Sequence, residues 1–269
     1  MSVLVLDIET IRDERVWTPP AAQPDAFPPP FAHHPICIGA VLLERVPGEN
    51  YFRTTRVGVL EAGPELGLEL RELDVLDRFV EFVHERRPDI VTWNGRRFDL
   101  PVLMLRSMRH AVAQGWYFGG KGMRYRYSEE GHCDLADHMS DFGACPALAL
   151  DGMAKLIGLP GKYGDIDGAG VAQAYAAGRI AEIGSYCMAD AAQTAFLWLR
   201  WQQLTGRILV EDYQRSARSL LQACAATGRL DELVRLCDRR VLLLEGISGD
   251  FKSAQAEQPA GTAADTVAT

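Results

Sequence analysis

The feature that most constrains this chain is the stretch VLVLDIETIRDE, from Val3 to Glu14. Its run of Val and Leu predicts a buried central strand, because a strand covered on both faces carries apolar side chains at every position. Asp7 and Glu9 follow directly, and strand side chains alternate with a period of two, so both carboxylates share one face. Burying a carboxylate is costly unless its charge is compensated. This strand must therefore either end in solvent or help to hold a ligand.

The rest of the sequence predicts one α/β or α+β domain over residues 1–245. Short apolar or alternating runs predict further strands at Ile36–Leu43, Tyr51–Val57, Ile90–Trp93 and Cys133–Leu135. Amphipathic spacing predicts helices at Leu73–Arg86, Leu100–Val112, Leu148–Ile157, Val171–Ala177, Ile180–Leu204, 210–226 and 229–240. The proline-rich residues 18–35 predict a loop, and the glycine-rich residues 115–131 predict a loop or an irregular hairpin. The small, polar residues 246–269 predict a disordered tail.

Composition and charge exclude several classes of protein. The net charge is −8, so the whole molecule is not a generic polyanion binder. A local basic surface is still compatible with this net charge. None of the six cysteines forms a CxxC pair or stands in zinc-ligand spacing with a histidine. No apolar run approaches the ~20 residues that span a membrane. We therefore expect a cytoplasmic protein whose cysteines are buried free thiols.

Two later segments contribute further carboxylates. In WNGRRFDLP, Asp99 precedes Leu100 and Pro101 at a candidate helix start, where aspartate commonly caps a helix. In SYCMADAAQ, Tyr186 and Asp190 are four residues apart, on one face of a predicted helix. Taken singly, Asp99 is interpreted as a helix cap and Asp190 as a solvated surface residue.

Taken together, the carboxylates indicate a metal site. Asp7, Glu9, Asp99 and Asp190 would repel one another strongly if they converged, unless cations lay between them. Oxygen-only ligands suit hard cations such as Mg²⁺ or Mn²⁺. Two such ions about 3.5–4 Å apart form a known clamp for phosphodiester hydrolysis, in which one activates water and the other stabilises the leaving oxygen. We therefore predict two divalent metal ions, Mg²⁺ or Mn²⁺, as cofactors.

Three segments, in chain order, resemble the exonuclease motifs of the DEDD 3′–5′ exonucleases. They are DIET (Asp7–Thr10), NGRRFD (Asn94–Asp99) and YCMAD (Tyr186–Asp190). The histidine variant of that family would place its histidine at Ser185, so the resemblance is to the tyrosine subtype, DEDDy. Over roughly residues 2–205 the chain resembles the proofreading domain of family-B DNA polymerases and a related stand-alone family of predicted exonucleases. The resemblance implies an α/β fold of the ribonuclease H-like (DnaQ-like) type, a mixed β-sheet flanked by helices.

The resemblance also implies a role for each residue of the acidic set. Asp7, Glu9 and Asp190 would ligate one metal ion. Asp7 and Asp99 would serve the second ion, Asp99 partly through water. Tyr186 would orient the attacking water, and a phenol with an ordinary pKa of about 10 can hold a water but hardly deprotonate it. The catalytic residues expected from the family are therefore Asp7, Glu9, Asp99, Tyr186 and Asp190.

Basic and aromatic residues around the second motif suggest where nucleic acid binds. Between Arg86 and Tyr127, nine Lys or Arg residues are interleaved with seven aromatic residues, which suits phosphate neutralisation and base stacking on a single strand. Each of these side chains is equally compatible with a place in the core or on a solvated face, and Lys162 with an exposed turn. The candidate contacts to nucleic acid are Thr10, Asn94, Arg96, Arg97, Phe98 and Lys162.

The expected function is that of a metal-dependent 3′–5′ exonuclease on single-stranded DNA that releases nucleoside 5′-monophosphates. An exoribonuclease of the same superfamily is the alternative, because the motifs barely distinguish the two sugars. A non-catalytic nucleic-acid-binding module is a third hypothesis, although a binder needs none of the four carboxylates. Asp134, which lies between the second and third motifs, is expected to be structural.

Overall fold

Five strands form one mixed sheet in the computed structural model, which describes residues 1–63, 65–120, 122–166, 168 and 170–246. The strands are β1 (Ser2–Arg12), β2 (His33–Arg45), β3 (Phe52–Glu61), β4 (Asp89–Thr92) and β5 (His132–Asp134). Their order in space is β3-β2-β1-β4-β5. β2 is antiparallel to β1 and β3, whereas β4 is parallel to β1 and β5. The carboxyl ends of β1 and β4 therefore meet at one edge of the sheet.

Helices cover both faces of this sheet. In the described residues they are α1 (Leu68–Arg86), α2 (Asp99–His110), α3 (Gly115–Gly119), α4 (Leu135–Met139), α5 (Leu150–Leu156), α6 (Val171–Ala176), α7 (Ile180–Leu204), α8 (Val210–Ala226), α9 (Asp231–Leu236) and α10 (Arg239–Leu242). α1 and α2 pack on one face, and α7 and α8 pack on the other. In the described part of the chain, no helix combines the length and the apolar character needed to cross a bilayer.

The central strand β1 is buried on both faces, as its apolar run predicts. Val3 and Val5 pack with residues of α7 and α8, whereas Leu4, Leu6 and Ile8 pack with residues of α1 and α2. Because strand side chains alternate, Asp7 and Glu9 continue the face of Val3 and Val5 and are directed toward α7. The sequence pattern of β1 thus decides which helix the two carboxylates meet.

A glycine in β2 allows α7 to approach the sheet closely. A Cβ atom at Gly39 would lie 2.4 Å from the carbonyl oxygen of Cys187 in α7, closer than any side chain permits. The main-chain N–H of Gly39 instead donates a hydrogen bond to Sγ of Cys187, at 3.0 Å, and this sulfur lies 3.3 Å from the carbonyl oxygen of Asp7. This contact holds the part of α7 that carries Tyr186 and Asp190 against the end of β1.

β2 begins three residues before its predicted start and includes a proline. Pro35 has no N–H to donate to a sheet, and proline within a sheet is confined to edges, strand starts and bulges. Here Glu9 pairs with Cys37 and Thr10 pairs with Pro35, so that Ile36 is the extra residue of a bulge. The bulge accommodates the proline and changes the strand register immediately beyond Glu9.

Other predicted segments also differ from the structure or lie outside it. The single helix predicted at 229–240 is divided into α9 and α10. The region 115–131, predicted as a loop or an irregular hairpin, contains the five-residue helix α3. The predicted tail at 246–269 lies outside the described residues except for Gly246.

Candidate active site

The end of β1 and the first half of α7 bring three carboxylates together. One oxygen atom from each of Asp7, Glu9 and Asp190 lies within 4.8 Å of the other two. Glu9 is 8% exposed, and the other two residues are half-buried. Such a group of hard oxygen donors has the composition of a Mg²⁺ or Mn²⁺ site.

Asp99 approaches the same place from the end of β4. It is the first residue of α2, is 4% exposed, and its Oδ1 accepts a hydrogen bond from the main-chain N–H of Ile8 at 3.1 Å. Its interpretation as a helix cap is wrong, because Phe98 occupies the N-cap position and makes no capping hydrogen bond. The carboxylate instead accepts a hydrogen bond from the main chain of β1, and its charge adds to the effect of burial in raising the pKa of Asp7.

These four residues, Asp7, Glu9, Asp99 and Asp190, are called the acidic centre below. Two other groups of acidic and histidine side chains occur in the described residues, and both include Glu69 or Glu72. Arginines neutralise those groups: Arg109 pairs with Glu69, and Arg106 pairs with Glu72. No ion pair with Lys, Arg or His is found for the acidic centre within the described part of the chain.

Burial opposes the charged form of every carboxylate in the acidic centre. Burial and the charges of Asp190 and Asp99 raise the pKa of Glu9 to about 8. Burial raises the pKa of Asp99 to about 7 and that of Asp190 to about 6. Burial and the neighbouring carboxylates also raise the pKa of Asp7 well above its usual range. Binding of a divalent cation here would therefore displace protons.

Tyr186 lies one helical turn before Asp190 and is half-buried. Burial and the charges of Asp190 and Glu9 raise the pKa of Tyr186 above its usual range. The Tyr186 hydroxyl interacts with the carboxylate of Asp190 and opposes the rise in pKa that burial causes there. The phenol is therefore neutral and keeps its proton for hydrogen bonding.

The turn that follows α5 carries Lys162 to the acidic centre. Gln193, which is 1% exposed, accepts a hydrogen bond from the N–H of Gly161 at 2.9 Å and donates one to Oδ1 of Asp190 at 3.4 Å. Asp151 accepts a hydrogen bond from the N–H of Lys162 at 2.7 Å. The Lys162 side chain is exposed, and its charge partly opposes the effect of burial on two carboxylates of the centre. No motif in the sequence identifies Gln193, although it lies one turn after Asp190.

The loop after β4 presents Asn94 and Arg97 but turns Arg96 inward. The carboxylate of Asp134 accepts hydrogen bonds from the N–H groups of Asn94 and Arg96, at 2.9 Å each, which confirms its structural role. The guanidinium of Arg96 is half-buried and donates to the carbonyl oxygen of His132 at 3.2 Å. Asn94 and Arg97 are exposed, and Asn94 has a left-handed backbone with φ of 60°.

Thr10 and Phe98 are connected by His33, a residue that the sequence motifs do not identify. Nδ1 of His33 lies 2.9 Å from Oγ1 of Thr10, and its ring lies edge-on to Phe98 with 4.9 Å between centroids. Phe27, from the proline-rich segment, packs on His33 at 5.1 Å and is 73% exposed. The only sequence signal for this cluster is the pair of histidines that ends the proline-rich segment.

The basic segment between Arg86 and Arg126 does not form one continuous surface. Arg106 is buried, whereas Arg109 and Arg126 form ion pairs with carboxylates. Lys121 lies outside the described residues. The candidate contacts that border on the acidic centre are therefore fewer than the composition of the segment suggests.

Comparisons with known proteins address the family and the fold. A family described as a predicted 3′–5′ exonuclease related to the exonuclease domain of PolB matches residues 25–234, a range that begins after Asp7 and Glu9. The family B DNA polymerase from the hyperthermophilic archaeon Pyrobaculum calidifontis has a similar structure, with a TM-score of 0.50 and 21% sequence identity. The similarity covers 84% of this chain and 29% of the polymerase, so the chain spans less than a third of the polymerase's length. A search of curated protein sequences finds no match.

The structural similarity confirms the predicted fold class, a ribonuclease H-like α/β fold with a mixed sheet flanked by helices. The family match covers most of the chain and includes Asn94 to Asp99 and Tyr186 to Asp190. The chain therefore belongs to the family of predicted 3′–5′ exonucleases related to the exonuclease domain of PolB.

Proposed function

We propose that this protein is a metal-dependent 3′–5′ exonuclease of the DEDDy type that acts on single-stranded DNA and releases nucleoside 5′-monophosphates. The observation that carries the proposal is that Asp190, which is far away in the sequence, joins Asp7 and Glu9 in a group with one ligand oxygen from each within 4.8 Å of the others. Asp99 adds a fourth carboxylate from the adjoining strand end. The family relationship supports the class of reaction.

The donor set of the acidic centre fits two hard divalent cations, Mg²⁺ or Mn²⁺. All its donors are carboxylate oxygens, which suit these ions, and a bound cation would offset the burial and the mutual repulsion that raise the pKa values of Asp7 and Glu9. Asp7, Glu9 and Asp190 would hold one ion, and Asp7 and Asp99 would hold the other. When bound, such ions activate a water and stabilise the leaving oxygen of the phosphodiester.

Tyr186 would position the attacking water without acting as a base. Its pKa is raised above the usual range, so the neutral phenol can donate one hydrogen bond and accept others. Its place one turn before Asp190 puts the hydroxyl beside the acidic centre. Loss of this hydroxyl would therefore slow the chemical step more than it weakens binding of the strand.

The residues around the acidic centre would hold the 3′ end of the strand. The ring faces of Phe98 and the exposed Phe27 offer stacking surfaces for bases, which bind a single strand with little sequence preference. Lys162 and Arg97 are exposed cations that would meet phosphates. The proposed contacts to nucleic acid are Thr10, Asn94, Arg96, Arg97, Phe98 and Lys162, with Arg96 acting through the loop that it anchors.

A cleavage assay with end-labelled strands tests the proposal. Single-stranded DNA labelled at its 5′ end should shorten one nucleotide at a time with Mg²⁺ or Mn²⁺ and should remain intact with a chelator. Asp7→Asn should slow this release by about 10³-fold or more, because it removes a ligand that both ions share. The matched control is Asp77→Asn, which changes an exposed carboxylate of α1. Equal rates for Asp7→Asn and the wild type would overturn the proposal.

The same assay separates the substrate classes and tests Tyr186. An RNA strand of equal sequence that is degraded faster than DNA would establish the exoribonuclease alternative.

With Ca²⁺ in place of Mg²⁺, the protein should bind the strand without cleaving it, and Tyr186→Phe should bind it with an affinity close to that of the wild type. An equal loss of binding and of turnover in Tyr186→Phe would contradict the water-orienting role.

A further inference from the structure

Exposed aromatic side chains are grouped in the loop before β5. Tyr125 and Tyr127 are 63% and 59% exposed, and their ring centroids are 5.7 Å apart. Phe142, from the turn after α4, lies edge-on to Tyr127 at 4.6 Å. These three residues, Tyr125, Tyr127 and Phe142, are called the aromatic surface below. Large rings that stay exposed side by side indicate a contact with another molecule.

The surrounding contacts hold the aromatic surface in one arrangement. The guanidinium of Arg126 donates two hydrogen bonds to the carboxylate of Asp137, at 2.6 and 2.7 Å, and lies 6.0 Å from the centre of the Phe142 ring. The ring of His138 packs on Phe142 at 4.9 Å. Phe142 itself has a left-handed backbone with φ of 54°, which costs free energy in a residue other than glycine. Such strain persists only where neighbouring contacts fix it, so the aromatic surface is arranged before a ligand binds.

The aromatic surface begins close to the loop that carries the second motif. β4 and β5 are parallel neighbours, so α4, which follows β5, starts at the same edge of the sheet as that loop. Hydrogen bonds from Arg126 lower the pKa of Asp137 in α4, and the charge of Arg97, two residues before Asp99, lowers it further. Tyr127 lines a cavity of about 660 Å³ at the start of β1. The aromatic surface therefore extends away from the acidic centre along the β5 side of the sheet.

The chemistry of this side of the sheet fits a single strand of nucleic acid. Ring faces stack on bases of any sequence, and cations beside them neutralise phosphates. Arg97 and Arg124 are exposed, and neither forms an ion pair with another described residue. Glu130 and Asp141 are exposed carboxylates in the same segments, so stacking should contribute more to binding than charge does.

We propose that the aromatic surface stacks on bases upstream of the 3′ end, so that the uncleaved part of the strand leaves the acidic centre along the β5 side of the sheet. This inference rests on the proposed function. The rings would bind nucleotides that are not being cleaved. Strands long enough to reach them should therefore bind more tightly than short ones, whereas the turnover rate at saturation should not depend on them.

The test compares short strands of about three nucleotides with long strands of about twelve, a length within the range that single-strand-binding sites cover. The double variant that carries Tyr125→Leu and Tyr127→Leu keeps apolar side chains but lacks their ring faces. With Ca²⁺, its affinity for the long strand should be about tenfold lower than that of the wild type, the size of a stacking contact. With Mg²⁺, its kcat/KM for the short strand should stay close to that of the wild type.

Tyr51→Leu is the matched control. Tyr51 also packs against an arginine, since the guanidinium of Arg215 lies 3.8 Å from the centre of its ring. It lies immediately before β3, however, and β3 is at the opposite side of the sheet from β5. The control should bind and cleave both strands as the wild type does.

Long strands with one abasic site locate the contact. At the position that stacks, the abasic site should weaken binding to the wild type severalfold, and the double variant should lose this difference because its rings are already absent. Thermal unfolding checks that the variants are folded. If the double variant does not fold, Tyr125→Leu alone, which changes the more exposed ring, gives the decisive comparison.

Three results would overturn the inference and leave the exonuclease assignment intact. They are an unchanged affinity of the folded variant for the long strand, an equal loss with both strand lengths, and an abasic effect that persists in the variant. The first of these would favour a protein as the partner of the exposed rings. Failure of the wild type to shorten either strand with Mg²⁺ or Mn²⁺ overturns the proposed function instead.

Discussion

The carboxylates of the acidic centre are held where burial opposes their charge. Folding brings Asp7, Glu9 and Asp190 to within 4.8 Å, with Asp99 against the main chain of Ile8. Burial and mutual repulsion raise the pKa of each of these carboxyl groups. A group that binds protons more tightly when folded destabilises the native state as the pH rises. Holding these carboxylates together therefore costs stability, and a bound cation would offset that cost.

The metal-free protein should lose stability as the pH rises from 7 to 8.5. The pKa of Glu9 is about 8 in the folded protein and 4.5 ordinarily, so over this range the folded state holds a proton that the unfolded state lacks. The free energy of unfolding should fall by about 1 kcal/mol through Glu9 alone, which lowers Tm by about 2–4 °C. Histidines, whose ordinary pKa is about 6.5, contribute little in this range. Thermal unfolding in a chelator at the two pH values measures the effect.

Glu9→Gln is the control for this titration, because it keeps the shape of the side chain and cannot ionise. Its Tm should change less between pH 7 and 8.5 than the Tm of the wild type, since the cysteine thiols are the same in both proteins. Addition of Mn²⁺ should raise Tm more at pH 8.5 than at pH 7, as metal and protons compete for the same oxygens. If the Tm of the wild type fell more between pH 7 and 8.5 with metal than without it, the role of Glu9 would be contradicted.

The residues of the acidic centre could be predicted from the sequence because each motif is local. A strand places Asp7 and Glu9 on one face, and a helix does the same for Tyr186 and Asp190. His33 could not be predicted in this way, because its contact with Thr10 depends on the path of a proline-rich segment between them. Contacts between residues of different segments depend on how those segments pack, and a local sequence pattern does not predict that packing.

At the scale of elements, the decisive contact is that between β2 and α7. Replacing Gly39 with Ala would place a methyl group 2.4 Å from the carbonyl oxygen of Cys187, so α7 would have to move away from the sheet. Overpacking of this kind costs about 1–3 kcal/mol of stability. Since Tyr186 and Asp190 are on the same helix, the nuclease rate should fall by about 10- to 100-fold. Chemical denaturation and the cleavage assay measure the two effects.

Gly58→Ala is the matched control, because it makes the same chemical change in the neighbouring strand β3. A Cβ atom at Gly58 would meet only the side chain of Arg56, at 4.0 Å. The control should therefore keep the stability and the nuclease rate close to those of the wild type. If Gly39→Ala behaved like Gly58→Ala in both measurements, the close approach of α7 would not be what positions its part of the acidic centre.

The positions of helices and strands could be predicted from the sequence where burial alone determines them. They were predicted less well where a single contact determines them. The amphipathic and apolar runs predicted α7 with its observed bounds, and also α1 and the central strand, although α1 begins five residues before its predicted start. The early start of β2 depends on a bulge at Ile36 that tolerates Pro35, and the proline signal favours a loop instead. Asp99 taken singly resembles a helix cap in sequence; the set of motifs predicted its place in the acidic centre, and its hydrogen bond from Ile8 shows how it is held there.

At the scale of the whole molecule, a buried ionic network joins the main elements behind the site. Arg106 of α2 donates to Glu72 of α1 at 2.5 and 2.8 Å, to Asp13 beyond β1 at 3.0 Å, and to the carbonyl oxygen of Phe31 at 3.0 Å. His34 of β2 lies between the two carboxylates. Burial alone would raise the pKa of Glu72, but hydrogen bonds from Arg106 and His34 lower it to about 2. The network thereby ties the end of the proline-rich segment to the end of β1, to β2 and to the two helices on one face of the sheet.

Removing Arg106 should therefore destabilise the whole molecule. Arg106→Met preserves the length of the side chain, but it leaves the buried carboxylate of Glu72 without its main partner and removes one of the partners of Asp13. Breaking a buried ion pair in this way costs about 3–5 kcal/mol of stability. Arg109→Met is the matched control on the same helix, because the exposed pair of Arg109 with Glu69 is worth only about 0–1 kcal/mol. Urea unfolding of both variants measures the difference. Equal stabilities of the two variants would show that the network does not hold these elements together.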